Sequence, residues 1–90
     1  MAHTIRERAR LLARVKRIRG QVEAVERAIE AEIGCADVLQ LVASVRGAVN
    51  GLTFELIEEH LREHVVAVPD EAGRVRGADE LVEVIRTYLK

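Results

Sequence analysis

Hydrophobic side chains recur at alternating steps of three and four residues along two long segments, which is the spacing of amphipathic helices that pack on other helices. In the first segment these positions are Leu11, Val15, Ile18, Val22, Val25 and Ile29. In the second they are Val38, Leu41, Val42, Val45, Val49, Leu52 and Leu56, followed by Leu61 and Val65. No segment alternates apolar and polar residues as a strand does, so the pattern predicts an all-α fold.

Local signals mark the ends of the first helix. Thr4 and Glu7 fit a capping box, which places the first helical residue at about Ile5. Gly34 suits a helix C-cap or a turn, so the helix should end near Glu32.

The second helix should begin at Cys35 or Ala36 and continue to about Val66, because Pro69 cannot extend it. Its RGAVNG segment, residues 46–51, is rich in small side chains that let two helix backbones approach closely. That segment contains the midpoint between Cys35 and His60, which are about 37 Å apart along a helix. A two-fold axis there would bring the cysteine of one chain to the histidines of an antiparallel partner.

A short third helix follows a polar connection. Residues 69–77, PDEAGRVRG, contain two glycines and predict a loop. Asp79 would then cap a helix from Glu80 to about Leu89.

Composition limits what one copy of the chain can bury. The chain has 90 residues, which make a single domain over 1–90, and its aromatic residues are Phe54 and Tyr88 alone. Two long helices in so short a chain leave too few neighbours to cover their apolar faces. We therefore expect self-association.

Charge is unevenly distributed, although the net charge is −1. Residues 1–19 carry seven arginines and lysines against Glu7, a balance of +6, whereas the remainder carries seven basic and fourteen acidic residues, a balance of −7. A basic arm beside an acidic remainder favours a polyanionic partner. The alternative is that these arginines are simply solvated residues of a good helix former.

Helical steps of four, four and three place four arginines on one stripe of the first helix: Arg6, Arg10, Arg14 and Arg17. This stripe is predicted to lie opposite the periodic hydrophobic residues of the same helix. Such a stripe suits the phosphates of double-stranded DNA. Arg19 adds to the same basic segment, and Arg46 on the second helix either extends the stripe or pairs internally. No helix-turn-helix, zinc-finger or aromatic RNA-binding motif is visible, so DNA binding would use a charged helical surface.

The three histidines and the single cysteine are the candidate metal ligands. His60 and His64 have the spacing at which one helix face offers two imidazoles to a metal ion. Cys35 would lie at a helix N-terminus, which favours the thiolate, and His3 would lie on a short N-terminal arm. One antiparallel dimer could bring all four side chains together. One thiolate with several imidazoles suits Ni, Co or Zn, and Glu63 could orient a ring. The alternative is that the histidines are solvated and the cysteine is a small packing residue.

Other classes of protein are disfavoured. No nucleophile–base pair, paired acid site or phosphate loop is visible, so no enzymatic activity is predicted. A lone cysteine fits a reducing compartment, and the N-terminus has no apolar signal-peptide core. These features predict a cytoplasmic protein.

The chain resembles the CsoR/RcnR family of all-helical, metal- or stress-responsive repressors along essentially its whole length. The resemblance rests on RVKRIRGQVEAVERAI, CADVLQLVASVRGAVNGL, EEHLREHV and the C-terminal VIRTYLK. It implies a three-helix protomer, with two long helices and a short one, that assembles as an antiparallel dimer and a dimer-of-dimers tetramer. It also implies sensing sites shared between protomers.

The resemblance further implies which stimulus is sensed. The family's four sensing positions here match the nickel- and cobalt-sensing RcnR branch, and they read His3, Cys35, His60 and His64. Copper-sensing members have a second cysteine where this chain has His64. The formaldehyde-sensing FrmR branch uses its cysteine with an N-terminal proline amine, where this chain has Ala2.

The expected protein is therefore a homotetrameric repressor that holds operator DNA when it is metal-free. The resemblance assigns operator binding to Arg14, Arg17 and Arg46, and the charge pattern adds Arg10 and Arg19. Ni(II) or Co(II), with Zn(II) as a third candidate, would release the DNA and derepress a metal efflux gene. Two alternatives stay open: a formaldehyde- or electrophile-responsive repressor that uses the cysteine, and a helical interaction module with incidental histidines.

Overall fold

A computed structural model describes residues 5–90 and confirms the all-α, three-helix architecture. Helix α1 spans Ile5–Glu30, α2 spans Cys35–Leu61, a π-helical turn spans Arg62–Val66, and α3 spans Glu71–Tyr88. Within residues 5–90 there is no strand. The predicted cap at Thr4 lies outside the described residues.

Helix α1 ends two residues earlier than predicted, and a residue other than glycine closes it. Glu32 adopts a left-handed backbone conformation with φ of 55°, and its N–H donates to the Ile29 carbonyl at 3.1 Å. The N–H of Ile33 reaches back to the Ala28 carbonyl at 3.2 Å. This pair of bonds is a Schellman motif, with Glu32 at the position where glycine is most common.

Gly34 was predicted to be a helix C-cap or a turn residue; it lies in the connection after α1 and opens α2. Its carbonyl accepts the N–H groups of Asp37 at 3.0 Å and Val38 at 3.1 Å, which are the first bonds of the new helix. The C-cap alternative was wrong, because the left-handed residue that closes α1 comes two residues earlier, at Glu32.

The chain divides into two compact units, one that ends at Leu52 and one that comprises Thr53–Lys90. In the first unit α1 packs antiparallel to the beginning of α2. The Gln21 side-chain amide donates to Ser44 Oγ at 3.1 Å, and the Arg14 guanidinium lies directly over Gly51. Both contacts join positions equidistant from the turn at residues 32–33, as expected of a regular helical hairpin.

In the second unit the end of α2 widens into the π-helical turn. The Ala67 N–H donates to the Arg62 carbonyl five residues earlier, at 2.9 Å. The second helix therefore reaches Val66, as predicted, but its last turn is wider than an α-helical one. Such wide turns in natural proteins are often found at functional sites.

Helix α3 is longer than the sequence predicted, because residues 71–77 are helical rather than a loop. Its N-cap is Asp70, whose carboxylate accepts the Gly73 N–H at 2.7 Å, while Asp79 lies within the helix. The prediction failed because Gly73 and Gly77 suggested chain breaks. Tertiary contacts override this weak propensity and use Gly77 for close packing.

Very little of the chain is buried in one copy. Among the described residues only Ala28 and Gly77 are buried. On α1, Val15, Val22 and Ile29 lie at seven-residue steps and are 45%, 49% and 59% exposed. One apolar side of α1 thus remains uncovered in the single chain. No helix among the described residues has the length and apolar character needed to cross a membrane.

Candidate metal centre

His60, in the last turn of α2, is held by a backbone carbonyl from α3. Its Nε2 lies 2.9 Å from the Gly77 carbonyl oxygen, and the side chain is 24% exposed. A carbonyl oxygen can only accept, so Nε2 must carry the proton. In the neutral imidazole the other ring nitrogen, Nδ1, then keeps its lone pair for a metal ion.

His64 lies in the π-helical turn beside His60. The two ring centroids are 4.8 Å apart at an interplanar angle of 40°, and the His64 side chain is 33% exposed. The structure therefore brings the two predicted imidazole ligands together on one side of the chain. Imidazole nitrogens suit borderline divalent metals better than Ca or Mg.

Glu63, predicted to orient a histidine ring, lies close to His64 but beyond hydrogen-bonding distance. Its Oε2 is 4.0 Å from His64 Nε2. The orienting contact to His60 comes instead from the Gly77 carbonyl, which the sequence pattern did not predict. A backbone carbonyl has no sequence signature of its own, and the glycine that supplies it lay in a segment predicted to be a loop.

Cys35 is a free, exposed cysteine at the first residue of α2. It lies at the opposite end of that helix from His60, so one copy of α2 carries its two kinds of candidate ligand at separate ends. His3, the remaining predicted ligand, lies outside the described residues.

The predicted DNA-binding arginines divide into two groups. Arg10, Arg17, Arg19 and Arg46 are exposed. Arg14 is half-buried, because it occupies the same helix face as Leu11 and Ile18 and its guanidinium lies over Gly51. The basic stripe is therefore not continuous on the solvent side of α1, and this part of the prediction was wrong.

Comparison with known proteins identifies related chains. The family model described as metal-sensitive transcriptional repressor matches residues 7–87. The transcriptional repressor RcnR of Salmonella typhimurium is 46% identical over 90 residues, which cover 100% of both chains.

Two solved structures have similar folds. A glutamate-to-histidine variant of the formaldehyde-responsive regulator FrmR from Salmonella enterica serovar Typhimurium is 43% identical with a TM-score of 0.89, over 97% of this chain and 99% of that one. The copper-sensing repressor CsoR with Cu(I) from Geobacillus thermodenitrificans is 28% identical with a TM-score of 0.92, over 100% and 94%.

Proposed function

The chain belongs to the family of metal-sensitive transcriptional repressors, and we propose that it holds operator DNA when metal-free and is released by Ni(II) or Co(II). Members of this family are regulators of transcription rather than enzymes. By resemblance to the RcnR branch, the controlled gene encodes a metal exporter.

The observation that carries the choice of metal is the pair formed by His60 and His64. Two imidazoles lie side by side, and the ring nitrogen Nδ1 of His60 is left with its lone pair by the bond to the Gly77 carbonyl. Imidazole ligands suit Ni, Co and Zn, whereas Cu(I) prefers more than one sulfur. This chain has a single cysteine.

The complete site is shared between two copies of the chain. Cys35 and His60 lie at opposite ends of α2, so an antiparallel α2 from a second copy would supply the thiolate to the histidine pair. His3 of the N-terminal arm would complete the ligand set. The exposed apolar side of α1 favours the same association and its extension to a homotetramer.

The DNA-binding surface of the proposed repressor is formed by arginines of α1, with Arg46 on α2. Arg10, Arg17 and Arg19 are exposed and offer guanidinium groups to phosphates. Metal binding and DNA binding are then coupled, and each ligand weakens binding of the other by the same factor.

A titration of Co(II) into the reduced protein tests the metal site. We expect a thiolate charge-transfer band in the absorption spectrum, which is lost in Cys35→Ala. The His64→Ala variant should bind more weakly, because one imidazole ligand is removed. Gln40→Ala, an exposed substitution on α2, is the matched control and should bind as the unchanged protein does. Unchanged affinity in both ligand variants would favour a helical interaction module instead.

A second candidate is a formaldehyde-responsive repressor, favoured by the similarity to FrmR over nearly the whole chain. In that case the exposed Cys35 reacts with an electrophile. Release of operator DNA should be measured separately with Ni(II), Co(II) and formaldehyde. If formaldehyde releases the DNA and neither metal does, formaldehyde rather than Ni(II) or Co(II) is the inducer.

A further inference from the structure

Gly77 is buried at the point where α3 touches the π-helical turn. A methyl group built on its Cα would overlap the carbonyl oxygen of His64 and approach its carbonyl carbon to 2.7 Å. These atoms belong to the backbone, so they cannot move aside as a flexible side chain can. No residue with a side chain fits here without separating α3 from the turn.

The same glycine supplies the hydrogen-bond acceptor for His60. Its carbonyl oxygen is 2.9 Å from Nε2 of the ring. The close approach and the hydrogen bond therefore depend on one residue, which contacts both members of the histidine pair through its backbone.

We propose that Gly77 is a positioning residue for the histidine pair. Because it has no side chain, α3 can pack against the His64 carbonyl. Its own carbonyl accepts a hydrogen bond that keeps the His60 proton on Nε2. The inference deepens the proposed function, since it concerns the site in which the two histidines would bind metal. It requires no metal for its test, because the tautomer of a histidine is a property of the metal-free protein.

Glu80 is the competing partner for the same ring nitrogen. Its Oε1 lies 3.8 Å from His60 Nε2, beyond hydrogen-bonding distance, and its side chain is 67% exposed. The shorter bond to the carbonyl should therefore fix the ring, and the carboxylate should contribute little.

The experiment is a long-range ¹H–¹⁵N spectrum of the histidine rings in the metal-free protein, recorded at a pH where the imidazoles are neutral. His60 should show the Nε2–H tautomer in the unchanged protein and in Glu80→Gln. In Gly77→Ala the tautomer should become mixed, because the acceptor moves away. Gly20→Ala is the matched control, since a methyl group there meets nothing within 4 Å, and it should keep the tautomer.

Four spectroscopic results would overturn the proposal: an Nδ1–H tautomer in the unchanged protein, loss of the Nε2–H tautomer in Glu80→Gln, its loss in Gly20→Ala, or its full retention in Gly77→Ala. If Gly77→Ala fails to fold, an Nδ1–H tautomer in the unchanged protein or loss of the Nε2–H tautomer in Glu80→Gln would still overturn the proposal.

A Co(II) titration of the same variants separates this inference from the proposed function. Gly77→Ala should bind about 10- to 100-fold more weakly, as expected when the group that orients a histidine ligand is removed. If the unchanged protein shows the expected tautomer but binds neither Ni(II) nor Co(II), the proposed function fails while the positioning role of Gly77 stands. If Gly77→Ala binds Co(II) as tightly as the unchanged protein, the positioning role fails.

Discussion

At the scale of single residues, Asp70 determines where α3 begins. Its backbone is extended, with φ of −97° and ψ of 146°, and its carboxylate accepts the Gly73 N–H at 2.7 Å. An N-cap carboxylate satisfies one of the unpaired N–H groups of the first turn and interacts favourably with the helix dipole.

Asp70→Ala should therefore lower the free energy of unfolding by about 1 kcal/mol. Asp79→Ala is the control, because Asp79 is exposed inside the helix, where alanine has the higher helix propensity, and it should change stability by less than about 0.5 kcal/mol. Urea denaturation at a fixed protein concentration measures both. A larger loss of unfolding free energy for Asp79→Ala than for Asp70→Ala would indicate that Asp79 caps α3, as the sequence predicted.

Glu32 is held in a left-handed conformation that costs a residue with a side chain about 1–2 kcal/mol. Glycine avoids this cost but loses more backbone entropy on folding. Glu32→Gly should therefore raise the free energy of unfolding by roughly 0.5–1 kcal/mol.

Glu30→Gly is the matched control for Glu32→Gly, because it makes the same chemical change at the last residue of α1. It should lower the free energy of unfolding by up to about 1 kcal/mol, since glycine is a poor helix former. Thermal unfolding of the two variants should give shifts of opposite sign, and a destabilised Glu32→Gly would contradict the Schellman geometry.

At the scale of elements, α3 packs against the π-helical turn and is also bonded through a side chain to the residues that connect the two. Arg74 contributes by donating from Nη1 to the carbonyls of Val68 at 2.9 Å and Pro69 at 2.8 Å. These bonds join the first turns of α3 to the connection that precedes it. Arg74→Met keeps most of the aliphatic stem and removes both bonds, so it should cost about 1–3 kcal/mol.

Arg76→Met is the comparison for this substitution, since Arg76 is an exposed arginine of the same helix, and it should be nearly neutral. The free energy of unfolding of each variant from urea titration provides the measurement. Equal effects of the two substitutions would show that the Arg74 contacts do not hold α3 in place.

The same elements show what the sequence could and could not predict. Helical periodicity predicted α1 and α2 within a few residues, and the four-residue spacing predicted that His60 and His64 would lie together. The sequence pattern missed the first turns of α3, because glycine has a low helix propensity. A glycine is needed at position 77 only because the helix contacts the His64 backbone there. The pattern also missed the partner of His60, which is a backbone carbonyl.

At the scale of the whole molecule, the uncovered side of α1 should make folding depend on association. Val22 lies in the middle of that side and is 49% exposed in the single chain. Val22→Glu places a charge there, so it should break the assembly and reduce helicity. Lys16→Glu introduces the same residue at an exposed polar position and should leave the assembly intact.

Sedimentation analysis and circular dichroism measure the two quantities. The unchanged protein should have four times the mass of the 10.0 kDa chain. A helical monomer for the unchanged protein would contradict the shared metal site as well, because that site needs Cys35 from a second copy.

DNA binding by the assembly should distinguish the two kinds of arginine on α1. Arg17 is exposed, so Arg17→Ala should weaken binding to all DNA sequences and reduce the slope of log K against log salt by about 1 for each phosphate that its guanidinium neutralises. Arg14 packs over Gly51, so Arg14→Ala should lower stability and leave that slope nearly unchanged. Arg86→Ala, on α3 and outside the basic segment, is the control for removal of charge alone. A salt dependence reduced equally by Arg14→Ala and Arg17→Ala would mean that the Arg14 guanidinium leaves α2 to bind phosphate when the repressor binds its operator.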